Sequence, residues 1–223
     1  ISWTNTYDWL KIYNNVWDWM YLRWWLSTFY DMELYSNTWA WLKIQYWSDK
    51  EINNSTSYNN WWPWFYIEYW DDLVINSSNS YDNWWDGFYI RATWWNYLEN
   101  VIAYNNSSNW IKTLSENWTN TYKKIITYNN WLSWIWKHQD YSTYDTLEKI
   151  ISYNNAVYWI RFSYDEYNFV NNVLLFNNWS NWIDWDQLDF SSLNNIVSFN
   201  NGGHGYVMGQ LLFFLEDQVI WHY

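Results

Sequence analysis

Tyr122-Lys123-Lys124-Ile125-Ile126-Thr127-Tyr128-Asn129-Asn130, with Ile135 five residues further on, is the stretch on which the reading of this chain turns. The same order of side chains returns in Leu147, Ile150, Ser152, Asn155 and Ile160, and again along the rest of the sequence. The asparagine that closes each run stands at Asn15, Asn37, Asn60, Asn83, Asn106, Asn130, Asn155, Asn178 and Asn201. These nine positions span 186 residues in eight intervals of 22 to 25, a mean of 23.25. A fixed period of about 20 to 50 residues marks a solenoid or array, in which each unit buries its apolar face against the next.

Aligned on that asparagine, the copies share further columns. Eight residues before it stand Tyr7, Phe29, Ile52, Ile75, Leu98, Tyr122, Leu147, Val170 and Leu193, and five before it Leu10, Met32, Ser55, Ser78, Val101, Ile125, Ile150, Val173 and Ile196. Three before it the residues are small or apolar, as in Ile12, Ala103, Thr127 and Ser152, and five after it every residue is apolar, from Met20 to Tyr206. This spacing resembles the leucine-rich repeat, L-x-x-L-x-L-x-x-N-x-L, over about residues 5 to 206. The resemblance implies a repeat solenoid with one parallel β-sheet on its concave side and irregular or helical convex segments. It also makes the nine asparagines a structural ladder, because a buried amide is tolerated only when its polar atoms are paired. The match lies in spacing more than identity: leucine is scarce, and Ser55, Ser57, Ser78 and Ser80 weaken the third and fourth strands.

A second architecture stays open. Four residues after the asparagine runs a tryptophan column, Trp19, Trp41, Trp64, Trp110, Trp134, Trp159 and Trp182, and Trp17-Asp18-Trp19-Met20-Tyr21-Leu22 alternates as a second strand would. The Tyr-x-x-x-Trp spacing of Tyr81 and Trp85 resembles the MORN family, which implies an array of β-hairpins but relies on several glycines per unit; the whole chain has five. One proline and so few glycines leave no linker. Residues 1–206 therefore read as one solenoid of about nine units, and 207–223, where Leu211-Leu212-Phe213-Phe214-Leu215 breaks the period, as a C-terminal cap or partial repeat.

Composition excludes several classes of function. The 223 residues carry 11 Lys and Arg against 23 Asp and Glu, a net charge of −12, which argues against nucleic acid because its binding rests on neutralising phosphates. No cysteine means no disulfide, thiolate metal site or thiol nucleophile. No apolar run approaches the roughly 18 to 20 residues of a membrane span. With no signal peptide visible at Ile1, an intracellular location is weakly favoured. The three histidines, His138, His204 and His222, form no metal-ligand pair. Gly202-Gly203-His204-Gly205 lacks the context of a phosphate loop and reads as a divergent last turn. Asp184, Asp186 and Asp189 lack the glycine and distal glutamate of a calcium loop. The expectation is a protein without catalytic residues, cofactor or metal.

What remains is a surface. Between the inward positions of each strand lie those that face the other way. One such column ends in the apolar stripe Ile102, Ile126, Ile151, Leu174 and Val197; beside it run Tyr104, Tyr128, Tyr153, Phe176 and Phe199. Exposed apolar and aromatic bands mark interaction sites. The expected function is a noncatalytic scaffold that binds a protein or peptide along this concave face. The alternative is a carbohydrate ligand, since tryptophan and tyrosine rings beside asparagine amides suit sugar rings.

Overall fold

The computed structural model describes residues 4–17, 20–23, 26–39, 42–45, 50–62, 65–68, 72–91, 95–108, 111–114, 119–132, 135–138, 145–157, 160–163, 165–166, 168–180, 183–185, 188–189, 191–203, 206–208, 213–216 and 219–220. Each repeat contributes one rung to each of two parallel sheets. The longer sheet runs from Thr4–Asp8 through Leu26–Tyr30, Lys50–Asn53, Leu73–Asn76, Asn96–Tyr104, Asn120–Tyr128, Thr146–Tyr153, Phe169–Phe176 and Ser191–Phe199 to Phe213–Glu216. In the early copies a second short strand continues each rung, as Lys11–Tyr13, Glu33–Tyr35, Thr56–Tyr58 and Asn79–Tyr81. Register follows the period: Val101 pairs with Ile125, Ile125 with Ile150, and Ile150 with Val173.

The second sheet corrects both expectations for the return segment. Nine strands, from Met20–Arg23 to Tyr206–Met208, begin five residues after each ladder asparagine and pair in parallel, rung to rung. No helix occurs among the described residues. Phe88 and Ile90 are fully buried while Tyr89 between them is not, a period of two that an extended chain satisfies and a helix does not. The hairpin array fails as well, because a hairpin pairs antiparallel and the strand pairs among the described residues are parallel. The chain is a parallel β-solenoid. The tryptophan column from Trp19 to Trp182 lies outside the described residues.

The uneven inward spacing has a backbone cause. Among the described residues, eighteen that are not glycine have φ between 50° and 58°, in two columns: Trp9, Asp31, Asn54, Ser77, Asn100, Lys124, Lys149, Asn172 and Asn195, then Asn14, Ser36, Asn59, Asp82, Asn105, Asn129, Asn154, Asn177 and Asn200. Each is the second residue of an x-x gap in the pattern. A left-handed residue bends the strand and resets its alternation, so Tyr122 and Ile125, three apart, both point inward. Asparagine is the non-glycine residue best suited to that conformation, which explains a corner-rich fold with five glycines.

Between the sheets lies a single core, in which Phe29, Ile52, Ile75, Leu98, Tyr122, Leu147, Val170 and Leu193 meet Phe88 and Ile90 of the second sheet. At its corner stands the asparagine ladder. From Asn15 to Asn201, the backbone N–H and Nδ2 of each asparagine donate to Oδ1 of the next in all eight steps, at 2.9–3.3 Å. The small residue three before joins in: Asn60 Nδ2 donates to Ser57 Oγ at 2.8 Å and Asn155 Nδ2 to Ser152 Oγ at 2.8 Å. Ser55 and Ser78 do not weaken their strands by wasting buried hydroxyls. Each caps a backbone N–H of the previous rung and donates to a carbonyl of its own. A second ladder, absent from the sequence reading, joins Asn96, Asn120, Asp145 and Asn168 at 2.6–3.3 Å.

Candidate functional site

The ten residues expected to bind a partner do share one face of the longer sheet. Ile102, Ile126, Ile151, Leu174 and Val197 are in register, and Tyr104, Tyr128, Tyr153, Phe176 and Phe199 form one stack. That stack continues to Tyr13, with ring centroids 4.8–5.3 Å apart and planes within 7° throughout. Stacking on both sides hides the ring faces: Tyr104, Tyr128, Tyr153 and Phe176 are only half-buried, yet what they show to solvent is ring edges and hydroxyls.

Charges on this side are paired. Lys11 contacts Glu33 at 2.5 Å, and Lys124 contacts Glu99 at 2.8 Å. Hydrogen bonds from Lys11 and Lys124 hold the Glu33 and Glu99 carboxyls below the usual carboxylate range. The Tyr58 hydroxyl donates to Glu33 at 3.0 Å and the Tyr97 hydroxyl to Glu99 at 2.7 Å. Both phenols are pushed up to about 12, Tyr58 chiefly by burial and Tyr97 chiefly by its hydrogen bond. Burial also raises Tyr81, Tyr104 and Tyr128.

A different surface has the relief of a binding site. At the corner after each ladder asparagine, the next residue donates its N–H to the ladder carbonyl one rung back, at 2.8–3.0 Å from Thr38 to Gly202. That bond fixes a column of side chains: Val16, Thr38, Trp61, Trp84, Ser107, Trp131, Ala156, Trp179 and Gly202. Beside it runs Trp17, Trp39, Trp62, Trp85, Ser108, Leu132, Val157, Ser180 and Gly203. Gly202 is required by close approach, since a Cβ there would lie 2.6 Å from the Trp179 carbonyl oxygen. The divergent-turn reading of this segment ends at Gly203; His204 and Gly205 lie outside the described residues.

Along this corner the left-handed Asn and Asp side chains face the tryptophans across an open groove. One segment, about 540 Å³, is lined by Asn59, Trp61, Asp82, Trp84, Asn105 and Ser107; the next, about 370 Å³, by Asn105, Asn129, Trp131 and Asn154. Trp61 and Trp84 stack at 4.9 Å, and the outer column stacks from Trp17 to Trp85 at 5.0–6.0 Å. Both stacks stop at the rung of Ser107 and Ser108, where a recess of about 420 Å³ opens between Trp84 and Trp85 on one side and Trp131 and Leu132 on the other. The sequence holds the signal for this recess in the change from Trp62 and Trp85 to Ser108.

Among the described residues no group of three or more His, Asp or Glu is placed to hold a metal ion, and no helix is long and apolar enough to cross a membrane. Asp184 and Asp189 fall on separate strands, Ile183–Trp185 and Leu188–Asp189, and Asp186 lies outside the described residues.

No family model matches the chain, and no curated protein matches it in sequence. Among solved structures, the chain is similar to the A-module of the Azotobacter vinelandii mannuronan C-5 epimerase AlgE6, at a TM-score of 0.61 and 11% identity, covering 93% of this chain and 71% of that one. A second similar structure is the catalytic domain of a GH87 α-1,3-glucanase variant in complex with nigerose, at a TM-score of 0.36 and 8% identity, covering 97% of this chain and 63% of that one.

Proposed function

We propose that the protein is a noncatalytic carbohydrate-binding solenoid that takes neutral glycans along the groove at this corner. One observation carries the reading: Trp61, Trp84, Trp131 and Trp179, all more than half exposed, stand in one column beside a row of amide and carboxylate side chains. A sugar ring presents C–H faces and a rim of hydroxyls, and needs both an apolar platform and hydrogen-bonding groups at its edge. The corner offers both together at the rungs of Trp61, Trp84, Trp131 and Trp179. The net charge of −12 opposes polyanionic chains and leaves neutral ones favoured. Likeness of fold to a mannuronan epimerase module supports the architecture as one that can serve a polysaccharide.

The test is calorimetric titration of the chain with neutral hexasaccharides of different linkage, namely cellohexaose, laminarihexaose and maltohexaose. Saturable binding to one of them is expected. Silence across the panel overturns the reading and returns the half-buried face from Ile102 to Val197 as the candidate for a protein or peptide partner.

A further inference from the structure

We infer that the interruption at Ser107 and Ser108 is a socket for one neutral pyranose ring, the end residue or a branch of a glycan. This rests on the carbohydrate reading and gives it an address. An aromatic column regular enough to stack at 4.9 Å has no reason to open a 420 Å³ recess unless a rung lacks its ring, and that is what the sequence does here. Ser107 and Ser108 replace two indoles on adjacent columns of the same turn. Backbone register does not lapse, because Ser107 N–H donates to the Asn83 carbonyl at 2.9 Å and Trp131 N–H to the Asn106 carbonyl at 3.0 Å. Only side-chain volume is missing.

The dimensions select the occupant. A ring placed in the missing rung would sit one ladder step from the Trp84 indole, within the roughly 4.5–7 Å centre-to-centre range of offset ring contacts. Trp131 closes the far side two steps from Trp84, about 9.6 Å at the usual strand spacing. Both tryptophans are well exposed, 58% and 64%, so their apolar surface is available. Polar groups stand at the margin: Ser107 and Ser108 are the polar residues that line the otherwise apolar recess, and Asn105 and Asn129 border the adjoining groove. A hydroxylated saturated ring uses walls and rim together; a planar aromatic ring would use the walls alone. The recess volume falls in the range of small-ligand pockets, about 300–1,000 Å³.

The variant that separates site from fold is Ser107→Trp, which supplies the missing ring. It should fill the socket and extend the Trp61–Trp84 stack, leaving the melting temperature unchanged or higher while weakening calorimetric affinity for the bound hexasaccharide at least tenfold. Trp9→Ala, in the other left-handed column and outside the groove, should bind as the parent does. If Ser107→Trp melts as the parent and binds as tightly, the socket is overturned while glycan binding elsewhere stands. If the parent binds none of the sugars, both fall. If indole or another planar aromatic binds the parent and is expelled by Ser107→Trp while no sugar binds, the recess is real and the pyranose assignment is wrong. A Ser107→Trp chain that fails to melt cooperatively is replaced by Ser107→Leu, which also fills the recess and should also lower affinity at least tenfold.

Discussion

The tyrosine stack and the tryptophan columns are built on the same rungs with the same spacing, and they differ in one respect. From Tyr13 to Phe199 the first never misses a ring, and each ring covers its neighbours. The second runs through Trp39, Trp62 and Trp85 and stops at two serines. Continuity spends aromatic surface on the protein's own stability; interruption leaves that surface open to a ligand. An unbroken aromatic band is thus weaker evidence of a binding site than a broken one, which reverses the weighting that the sequence alone encourages.

The largest expected effect lies beneath both columns. Asn130→Ala would take the acceptor from the buried Asn106 N–H, one of two acceptors from Asn106 Nδ2, which keeps the Ser80 carbonyl, and a donor from the Ala103 carbonyl. At about 1–3 kcal/mol for a buried group that loses its partner, the loss should reach about 3 kcal/mol in urea unfolding. A loss below about 1 kcal/mol would show that the ladder is decoration rather than support.

The contrast itself is tested by matched truncations. Tyr128→Ala removes ring contacts to Tyr104 at 4.8 Å and Tyr153 at 5.0 Å and should cost about 2 kcal/mol, from two stacking contacts of about 0.5–1.5 kcal/mol each plus partial burial. Trp84→Ala, at the end of its stack and more than half exposed, should cost about 1 kcal/mol or less while lowering glycan affinity. Equal costs would erase the distinction drawn between the columns.

The regularity of the solenoid was legible before its shape. Nine asparagines at a near-constant step and the inward columns marked the repeat, and the leucine-rich-repeat resemblance they carry implied parallel strands and the ladder. The second sheet was legible only in part: the alternation from Trp17 to Leu22 reads as a second strand, but its parallel pairing does not show there, and later four-residue strands such as Ile111–Leu114 are too short for periodicity to tell strand from helix. The second ladder was hidden because its column holds Ser27, Lys50 and Leu73 before Asn96, so no single residue type marks it. The left-handed corners were hidden for a related reason: Lys124, Lys149 and Trp9 occupy a conformation that sequence reasoning reserves for glycine and asparagine, because the neighbouring stacked rungs impose it. As for the site, an absent side chain leaves no motif to read.

A smaller effect sharpens the comparison from the side of charge. Tyr58 and Tyr97 have folded-state values near 12, above the ordinary value near 10. A raised value stabilises the fold below the unfolded pKa and is lost as pH rises through the folded one, so melting temperature should fall between about pH 10 and 12. Tyr58→Phe should flatten part of that fall. Smaller still is Lys124→Gln. Glu99 is held low by Lys124, so the pair contributes above the unfolded carboxylate pKa and its contribution vanishes on acidification. For an exposed pair the difference from the parent should be no more than about 0.5 kcal/mol at neutral pH, reduced by salt and absent in acid.

The asparagine ladder has a direction. In all eight steps the donor sits on the earlier rung and the acceptor on the later one. Amide dipoles aligned in one sense polarise one another and strengthen along the line. The column is therefore a vector: sever it at any rung and one broken surface bears donors while the other bears acceptors. Two fragments of this solenoid would rejoin in one orientation only, earlier piece to later, as the halves of a magnet do.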